Sequence, residues 1–378
     1  MNISMSKGVI SRGISAPMIK EGDDLVRIVV DSVINEVKDV KIINVPYYID
    51  GVRAFRTEEH MSYDINDKDI IGITESVIAR ASGQYISVDD IAEWIIKKFG
   101  PDAELIVDSP IYSRNRFSMI LKGIARAAKK IYFIMPPFDE VGNPSGVNPF
   151  TGVDIQKYYA EICSEENCES EFGESVYDVT KNINDYDIDN YGWIYCGLHN
   201  YNEWKENHTG KIATLADVCK EFSPDWGVLG TNKSTEERLK LFPSKEVAQK
   251  VCDEVKAQIN KITGKDVIVC SYGDGCFKDP VGGIWEFADP VTMPAYTDKE
   301  LIESTPNEIK LKAFIDDGTS EEEINRLIKE KKNLVGSMTS QGTTPRLYRD
   351  LLASLMDLTS GSGDRATPIV LVQNYFRD

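Results

Sequence analysis

Residues 13–25 read G-I-S-A-P-M-I-K-E-G-D-D-L and join a loop of small residues to the expected start of a helix. The first half, from Gly13 to Pro17, has few side chains that would obstruct a ligand approaching the backbone amides. The second half places Glu21, Asp23 and Asp24 before an apolar run, and acidic residues suit the positive end of a helix dipole. The pattern predicts a capped helix behind a loop that is open to ligands. An ordinary turn before a helix would give the same pattern.

Three further segments combine regular structure with glycine-rich and acidic loops. Residues 67–83 read D-K-D-I-I-G-I-T-E-S-V-I-A-R-A-S-G, which predicts a buried strand followed by a helical turn carrying Arg80. Residues 271–283 read S-Y-G-D-G-C-F-K-D-P-V-G-G and follow an amphipathic helix, Val247–Gly264. Residues 351–374 read L-L-A-S-L-M-D-L-T-S-G-S-G-D-R-A-T-P-I-V-L-V-Q-N, which predicts a helix, a glycine-rich loop and a closing strand.

In this order, the four segments resemble the motifs of the gamma-glutamyl ligases of the deazaflavin coenzyme F-420. Residues 19–25 match that family's I-K-E-G-D-D-L without a gap, and the four segments extend over almost the whole chain. The resemblance implies an α/β fold with a mixed-sheet lobe, and a homodimer. It also implies a ligase that joins an amino acid, with L-glutamate expected, to a small-molecule carboxylate acceptor. GTP would activate the acceptor as an acyl phosphate, with Mg²⁺ or Mn²⁺ bound.

The length of the chain and a change in its composition predict two parts. The 378 residues exceed the roughly 100–200 residues of a usual domain. Residues 143–242 are rich in turn-forming and polar residues, and the family resemblance lapses there. We therefore expect a ligase-like α/β lobe of residues 1–142 plus 243–378, with residues 143–242 as an inserted subdomain. Trp193, Trp204 and Trp226 are the expected anchors of that subdomain.

The resemblance also implies which residues bind the nucleotide. They come from the first loop, from the basic turn, from an asparagine loop and from the glycine-rich loop: Gly13, Ser15, Ala16, Pro17, Arg80, Asn115, Gly361, Gly363 and Asp364. Arg80 stands where the family has a lysine, and Asn115 matches the family's loop asparagine. From the residues alone, Arg80 could equally be an exposed helix arginine and residues 360–364 a flexible loop. The chain has no G-x-x-x-x-G-K-(S/T) phosphate loop.

The expected metal ligands depart from the family pattern. The family's aspartates are missing in two places, where Tyr112 with Ser113 and then Tyr272 stand instead. Because hard divalent cations take oxygen ligands, Asp274 is our first candidate for a replacement ligand and Glu75 the second. Asp274 and Asp279 are the candidate catalytic residues. The alternative is that Y-G-D-G is only a tight turn.

The charge of the chain restricts its partners. The formal net charge of −18 argues against nucleic acid or an anionic membrane surface as a partner. The chain contains no run of about 20 apolar residues, so we expect no transmembrane helix. The N-terminus also lacks an apolar signal core. A cytoplasmic location is therefore expected.

The seven cysteines are odd in number and irregularly spaced, which favours reduced thiols over a disulfide framework. Cys163, Cys168, Cys196 and His199 have ligand types and local spacing that would permit a zinc site. Free thiols are the favoured alternative, because zinc sites more often show C-x-x-C pairs and this loop is acidic.

Two classes of function stay open. The first is the nucleotide-dependent and metal-dependent ligase. The second is a repurposed, non-catalytic protein that binds a nucleotide or cofactor on the same scaffold after losing the metal aspartates.

Overall fold

The computed structural model describes residues 8–38, 41–49, 52–60, 64–112, 117–139, 143–149, 152–175, 191–197, 201–208, 210–273, 293–305, 316–329, 346–360 and 367–376. Within these residues the chain is a mixed α/β fold, as the sequence predicts. It forms two compact units. The mixed-sheet unit comprises residues 1–81, 246–284 and 292–378, and the parallel-sheet unit comprises residues 82–245 and 285–291.

The regular elements are numbered in chain order. The strands are Ile10–Ile14 (β1), Lys41–Ile49 (β2), Val52–His60 (β3), Ile70–Thr74 (β4), Tyr85–Ser87 (β5), Ala103–Asp108 (β6), Ala128–Ile134 (β7), Glu169–Gly173 (β8), Gly192–Tyr195 (β9), Ile212–Thr214 (β10), Asn232–Lys233 (β11), Arg238–Lys240 (β12), Ile268–Tyr272 (β13) and Ile369–Gln373 (β14). The α-helices are Leu25–Lys38 (α1), Glu75–Ala81 (α2), Val88–Phe99 (α3), Phe117–Ala127 (α4), Ile155–Glu165 (α5), Tyr201–Asn207 (α6), Lys245–Thr263 (α7), Glu321–Lys329 (α8) and Tyr348–Ser360 (α9). A short 3-10 helix covers Lys299–Ile302.

The mixed-sheet unit is built on a four-stranded sheet in the order β1-β14-β4-β13. Strand β14 is antiparallel to both of its neighbours, whereas β13 is parallel to β4. Strands β2 and β3 form a separate antiparallel hairpin. Because β1 and β14 lie near opposite ends of the chain, this sheet forms only when residues distant in sequence come together.

Apolar side chains alternate between the two faces of the mixed sheet. One face, carrying Ile71 and Leu371, packs against α1 and α7. The other face packs against α9, where Met356 lies over Gly72. A Cβ atom at Gly72 would lie 2.3 Å from Met356 Sδ, so the glycine permits this close approach of helix and sheet.

Side chains cap the starts of helices α1, α3 and α8. Helix α1 begins at Leu25, where Asp24 Oδ1 accepts from the Arg27 N–H at 3.0 Å. Helix α3 has a complete capping box, in which Ser87 and Asp90 each accept from the other's backbone N–H. Ser320 Oγ likewise accepts from a backbone N–H in the first turn of α8.

The parallel-sheet unit contains a five-stranded parallel sheet in the order β10-β9-β6-β7-β8. From β6 the chain adds strands on one side through α4 and α5, and then returns to add β9 and β10 on the other side. This is a doubly wound arrangement, and its strand order reverses between β6 and β9. Strands β11, β12 and β5 form a small antiparallel sheet in the same unit.

Residues 143–242 share a sheet with the residues before them. Strand β8 pairs with β7, and β9 pairs with β6. Trp193 and Trp204 pack with Ile106 and Ile134 in one apolar cluster, so these tryptophans do not anchor a separate core. The structure divides the chain at residues 81–82 and 245–246, whereas the sequence placed the divisions at 142–143 and 242–243.

Candidate functional site

Four chain segments meet at one edge of the mixed sheet. The parallel strands β4 and β13 both end there, with Thr74 opposite Tyr272. Strand β14 starts there, since the Thr74 N–H donates to the Pro368 carbonyl oxygen at 3.0 Å. Strand β1 ends there, with Ile14 opposite Ile369. We call this end of the sheet the loop edge, because the segments entering and leaving it include all four sequence motifs.

The first loop and the end of α9 come together at the loop edge. A Cβ atom at Gly13 would lie 3.0 Å from the side chain of Thr367, so a larger residue would require Thr367 to shift by a few tenths of an ångström. Thr367 Oγ1 donates to the carbonyl oxygen of Ser360. Gly13 and Ser360 therefore lie on the same side of the unit. Gly361, Gly363 and Asp364 lie outside the described residues.

The loop after β1 is open, and a tight turn closes its far end. Ser15 and Pro17 are exposed, whereas Ala16 is partly buried. The Lys20 N–H donates to Asp23 Oδ2 at 2.7 Å, and Gly22 adopts a φ of 85° that favours glycine. Asp23 thus holds the turn, which accounts for one of the acidic residues of the motif without any ligand.

Helix α2 carries two of the predicted site residues. Glu75, its first residue, is only 6% exposed and directly follows β4 at the loop edge. A carboxylate in this position is favoured by the helix dipole. Arg80 is exposed in the last turn, next to Ala81, whose carbonyl oxygen accepts from the Gly22 N–H at 2.9 Å. Arg80 therefore lies beside the turn of the first motif, five residues and about 7.5 Å along the helix axis from Glu75.

Tyr272 is buried in the apolar layer between the sheet and α9. It is 1% exposed and belongs to the cluster that contains Met356 and Leu352. Burial raises the pKa of its phenol, which also lies near Ser360. An uncharged phenol thus occupies the position where the resemblance implies an aspartate. Asp274 and Asp279 lie outside the described residues, beyond the point where β13 ends at the loop edge.

The parallel sheet also has an end where polar residues collect, and sequence reasoning missed it. Ligands of doubly wound sheets bind at the carboxyl ends of the strands, where the strand order reverses. Here that point is the end of β6, at Asp108 and Ser109. Ser109 has a φ of 51°, which is uncommon for a residue other than glycine. The sequence indicates where strands end, but it does not indicate the order of the strands in the sheet.

Two tyrosines hold the loop that leaves β6. Tyr112 donates to the Pro136 carbonyl oxygen at 2.6 Å, and Tyr159 donates to the Ile111 carbonyl oxygen at 2.5 Å. Burial raises the pKa of the Tyr112 phenol. These bonds fix the start of the loop that contains Asn115. Asn115 itself and Ser113 lie outside the described residues.

The carboxylate of Asp108 is partly buried on the α6 side of the parallel sheet. Its oxygens accept from Trp204 Nε1 at 3.1 Å and from Ser109 Oγ at 2.9 Å. Burial raises the pKa of this carboxyl group, and the two hydrogen bonds offset part of that shift. Asp108 is therefore fixed in position by two hydrogen bonds, and its pKa depends on its burial and on those bonds.

The cysteines proposed as zinc ligands are not in one place. Cys163 and Cys168 lie at the end of α5, next to β8, whereas Cys196 follows β9. Strands β7 and β6 lie between β8 and β9, which separates them by roughly 14 Å. These three cysteines therefore do not form one metal site, and His199 lies outside the described residues. The six cysteines in the described part of the chain are buried, free thiols.

Comparison with known proteins identifies the family. Across the described residues, no helix has both the length and the apolar character needed to cross a bilayer. A search of curated proteins finds no match. A family model described as F420-0:Gamma-glutamyl ligase matches residues 13–374, nearly the whole chain, and implies a ligase that forms gamma-glutamyl bonds. The chain therefore belongs to the F420-0:gamma-glutamyl ligase family.

Proposed function

We propose that this protein is a GTP-dependent and metal-dependent ligase that joins L-glutamate or a related amino acid to a small-molecule carboxylate. An oxygen of the acceptor carboxylate attacks the γ-phosphorus of GTP, which gives an acyl phosphate and GDP. The amine of the amino acid then attacks the acyl carbon, and phosphate leaves as the amide forms. We also propose that the protein acts as a homodimer in the cytoplasm.

The observation that carries this proposal is the convergence at the loop edge. Gly13, Glu75 and Ser360 come from three distant parts of the chain, and each lies where its strand or helix meets this edge. Packing against Thr367 accounts for Gly13 at the end of β1, but it does not account for the exposed Ser15 and Pro17 that follow. In the proposed site, Gly13, Ser15, Ala16 and Pro17 present backbone to the phosphates, and Arg80 pairs with a phosphate oxygen.

The donor set at the loop edge fits a hard divalent cation. Glu75 supplies a buried carboxylate, which is the ligand type that Mg²⁺ and Mn²⁺ prefer. We propose that Asp274 supplies a second carboxylate, while Asp279 remains a candidate catalytic residue. A bound cation would offset the negative charge that accumulates on the phosphates. In the proposed site at the loop edge, Gly361, Gly363 and Asp364 add contacts to the nucleotide, and Asn115 remains a candidate nucleotide-binding residue implied by the family resemblance.

The test is a coupled assay on the full chain. The protein is incubated with GTP, Mg²⁺ or Mn²⁺, L-glutamate and a panel of small carboxylic acids that includes the deazaflavin coenzyme. The proposal predicts phosphate release that requires both an acceptor and the amino acid. Phosphate release that is independent of the amino acid would contradict the ligase assignment.

A second function, binding without catalysis, is favoured by the buried phenol of Tyr272. A phenol held in an apolar layer cannot replace an ionised aspartate as a metal ligand. On this alternative the chain binds a nucleotide or cofactor and forms no amide. A panel of GTP, ATP and GDP with each metal would then raise the melting temperature while every acceptor stays unreacted.

A further inference from the structure

Cys163 and Cys168 meet at the cap that ends α5. The Cys168 N–H donates to the Cys163 carbonyl oxygen at 2.8 Å, and the Asn167 N–H donates to the Ser164 carbonyl oxygen at 3.1 Å. Asn167, between them, has a φ of 60°. These features define a Schellman motif, in which the side chains of the first and last residues contact each other. Here both of those residues are cysteines.

The cap brings two buried thiols into one part of the apolar core. Cys163 is fully buried and Cys168 is 5% exposed, and both belong to the same apolar cluster. The Cys168 thiol donates to the Glu169 carbonyl oxygen at 3.4 Å. A disulfide needs Cα atoms roughly 4.4–6.8 Å apart, and residues joined by a 6→1 backbone hydrogen bond approach each other closely. Cys252 and Cys270 offer a contrast, since they belong to the clusters on opposite faces of the mixed sheet.

We propose that Cys163 and Cys168 form a redox modification site whose reagent is a small hydroperoxide. The Cys168 sulfur attacks the peroxide O–O bond, forming a sulfenic acid and releasing an alcohol, or water in the case of hydrogen peroxide. The Cys163 sulfur then attacks the sulfenic sulfur, and water leaves as the disulfide forms. Two thiols lose two electrons and two protons, and the peroxide is reduced.

The surroundings of the two thiols determine that the Cys168 sulfur attacks the peroxide first. Interaction with the Cys163 thiol lowers the pKa of the Cys168 thiol, and a thiolate is the reactive form. The same interaction, together with burial, raises the pKa of Cys163. Cys168 also has the greater exposure. The resulting bond would fasten the end of α5 to the start of β8, whatever reaction the loop edge catalyses.

Mass spectrometry of the full chain tests the proposal. Trypsin cleavage after Lys157 and Lys181 gives one peptide, Tyr158–Lys181, that contains both cysteines and no other. The folded protein is exposed to hydrogen peroxide, denatured, alkylated and digested. We expect this peptide to lose two hydrogen atoms, resist alkylation, and regain both thiols after dithiothreitol.

The controls separate a disulfide from general oxidation. Cys163→Ser and Cys168→Ser should each abolish the two-hydrogen loss, and the peptide carrying buried Cys219 should stay alkylatable. Because the parent protein gives the primary result, the test does not depend on the folding of the variants. Full alkylation of both thiols after peroxide exposure, or a sulfinic acid on Cys168 beside an unmodified Cys163, would overturn the proposal.

Discussion

The two sheets of this protein are assembled in opposite ways. The parallel sheet is made of strand-helix repeats that follow one another, so β6, α4 and β7 are neighbours in both sequence and space. The mixed sheet pairs Gly13 with Val370 and Tyr272 with Thr74, across most of the chain. Only the mixed sheet brings the four sequence motifs to one edge. The parallel sheet thus forms mainly from neighbouring segments, whereas the candidate site lies on a sheet formed from segments distant in sequence.

Substitutions in the two units can test this difference in assembly separately, because each unit has its own readout. The four tryptophans in the described part of the chain belong to the parallel-sheet unit, so their fluorescence reports on that unit. Nucleotide affinity reports on the loop edge of the other unit. A substitution that changes tryptophan fluorescence but not nucleotide affinity, or the reverse, shows which unit it affects.

The largest effect is expected in the core of the parallel-sheet unit. Phe133 is fully buried and stacks on Phe172, with ring centroids 4.8 Å apart. Phe133→Ala should lower the free energy of unfolding by about 3–5 kcal/mol, because it removes contacts and leaves a cavity. Denaturant titration followed by tryptophan fluorescence measures this change. The control is Phe138→Ala, at a residue that is 62% exposed. Equal losses in the two variants would show that this core is misassigned.

Replacing Arg80 should weaken nucleotide binding and hardly change the stability of the protein. Arg80→Ala should weaken GTP binding by about 1.5–3 kcal/mol if the guanidinium makes a charged hydrogen bond. Because Arg80 is exposed, thermal unfolding should hardly change. Arg27→Ala is the matched control, since its ion pair with Asp31 is on the surface. Unchanged affinity in a folded Arg80→Ala protein would make Arg80 an ordinary surface residue.

Two helix caps allow a direct comparison of the units. Asp24→Ala and Ser87→Ala should each cost about 1 kcal/mol of stability, because each removes a capping acceptor. Circular dichroism during denaturation measures both. Only Asp24→Ala, next to the first loop, should also reduce nucleotide affinity. If Ser87→Ala reduces affinity equally, the loop edge is not the sole binding region.

The smallest effect concerns pH and Asp108. Its pKa is raised in the folded protein, so the folded state binds more protons than the unfolded state above about pH 4. This group therefore makes stability fall as pH rises through that range. Asp108→Asn should remove this fall, making the variant relatively more stable at neutral pH and equal to the parent below about pH 4. Parallel stability curves across this range would contradict the prediction.

The sequence predicted the local features well, because their causes are local. The start of α1 depends on Asp24 and Arg27, which are three positions apart. The hairpin of β2 and β3 also has a local cause. The pairing of Ile49 with Val52 brackets an Asp-Gly pair, which is a hairpin signal that was available in the sequence.

The order of the strands could not be predicted from patterns. Nothing local requires β9 to pair with β6, and that pairing joins residues 143–242 to the preceding sheet and separates Cys196 from Cys168. That the first loop lies near the end of α9 was implied only by the family resemblance. The burial of Tyr272 depends on α9, which is formed by residues far along the chain.

The most direct test of the central claim is calorimetric titration of GTP into the parent and into Asp274→Asn, with and without Mg²⁺. This substitution keeps the side-chain shape and removes the charge. If the loop edge is a metal-dependent nucleotide site, the parent should bind GTP more tightly with Mg²⁺. The variant should then fold normally and lose that dependence. Equal affinity in both proteins, or binding in the parent that ignores the metal, would contradict the claim.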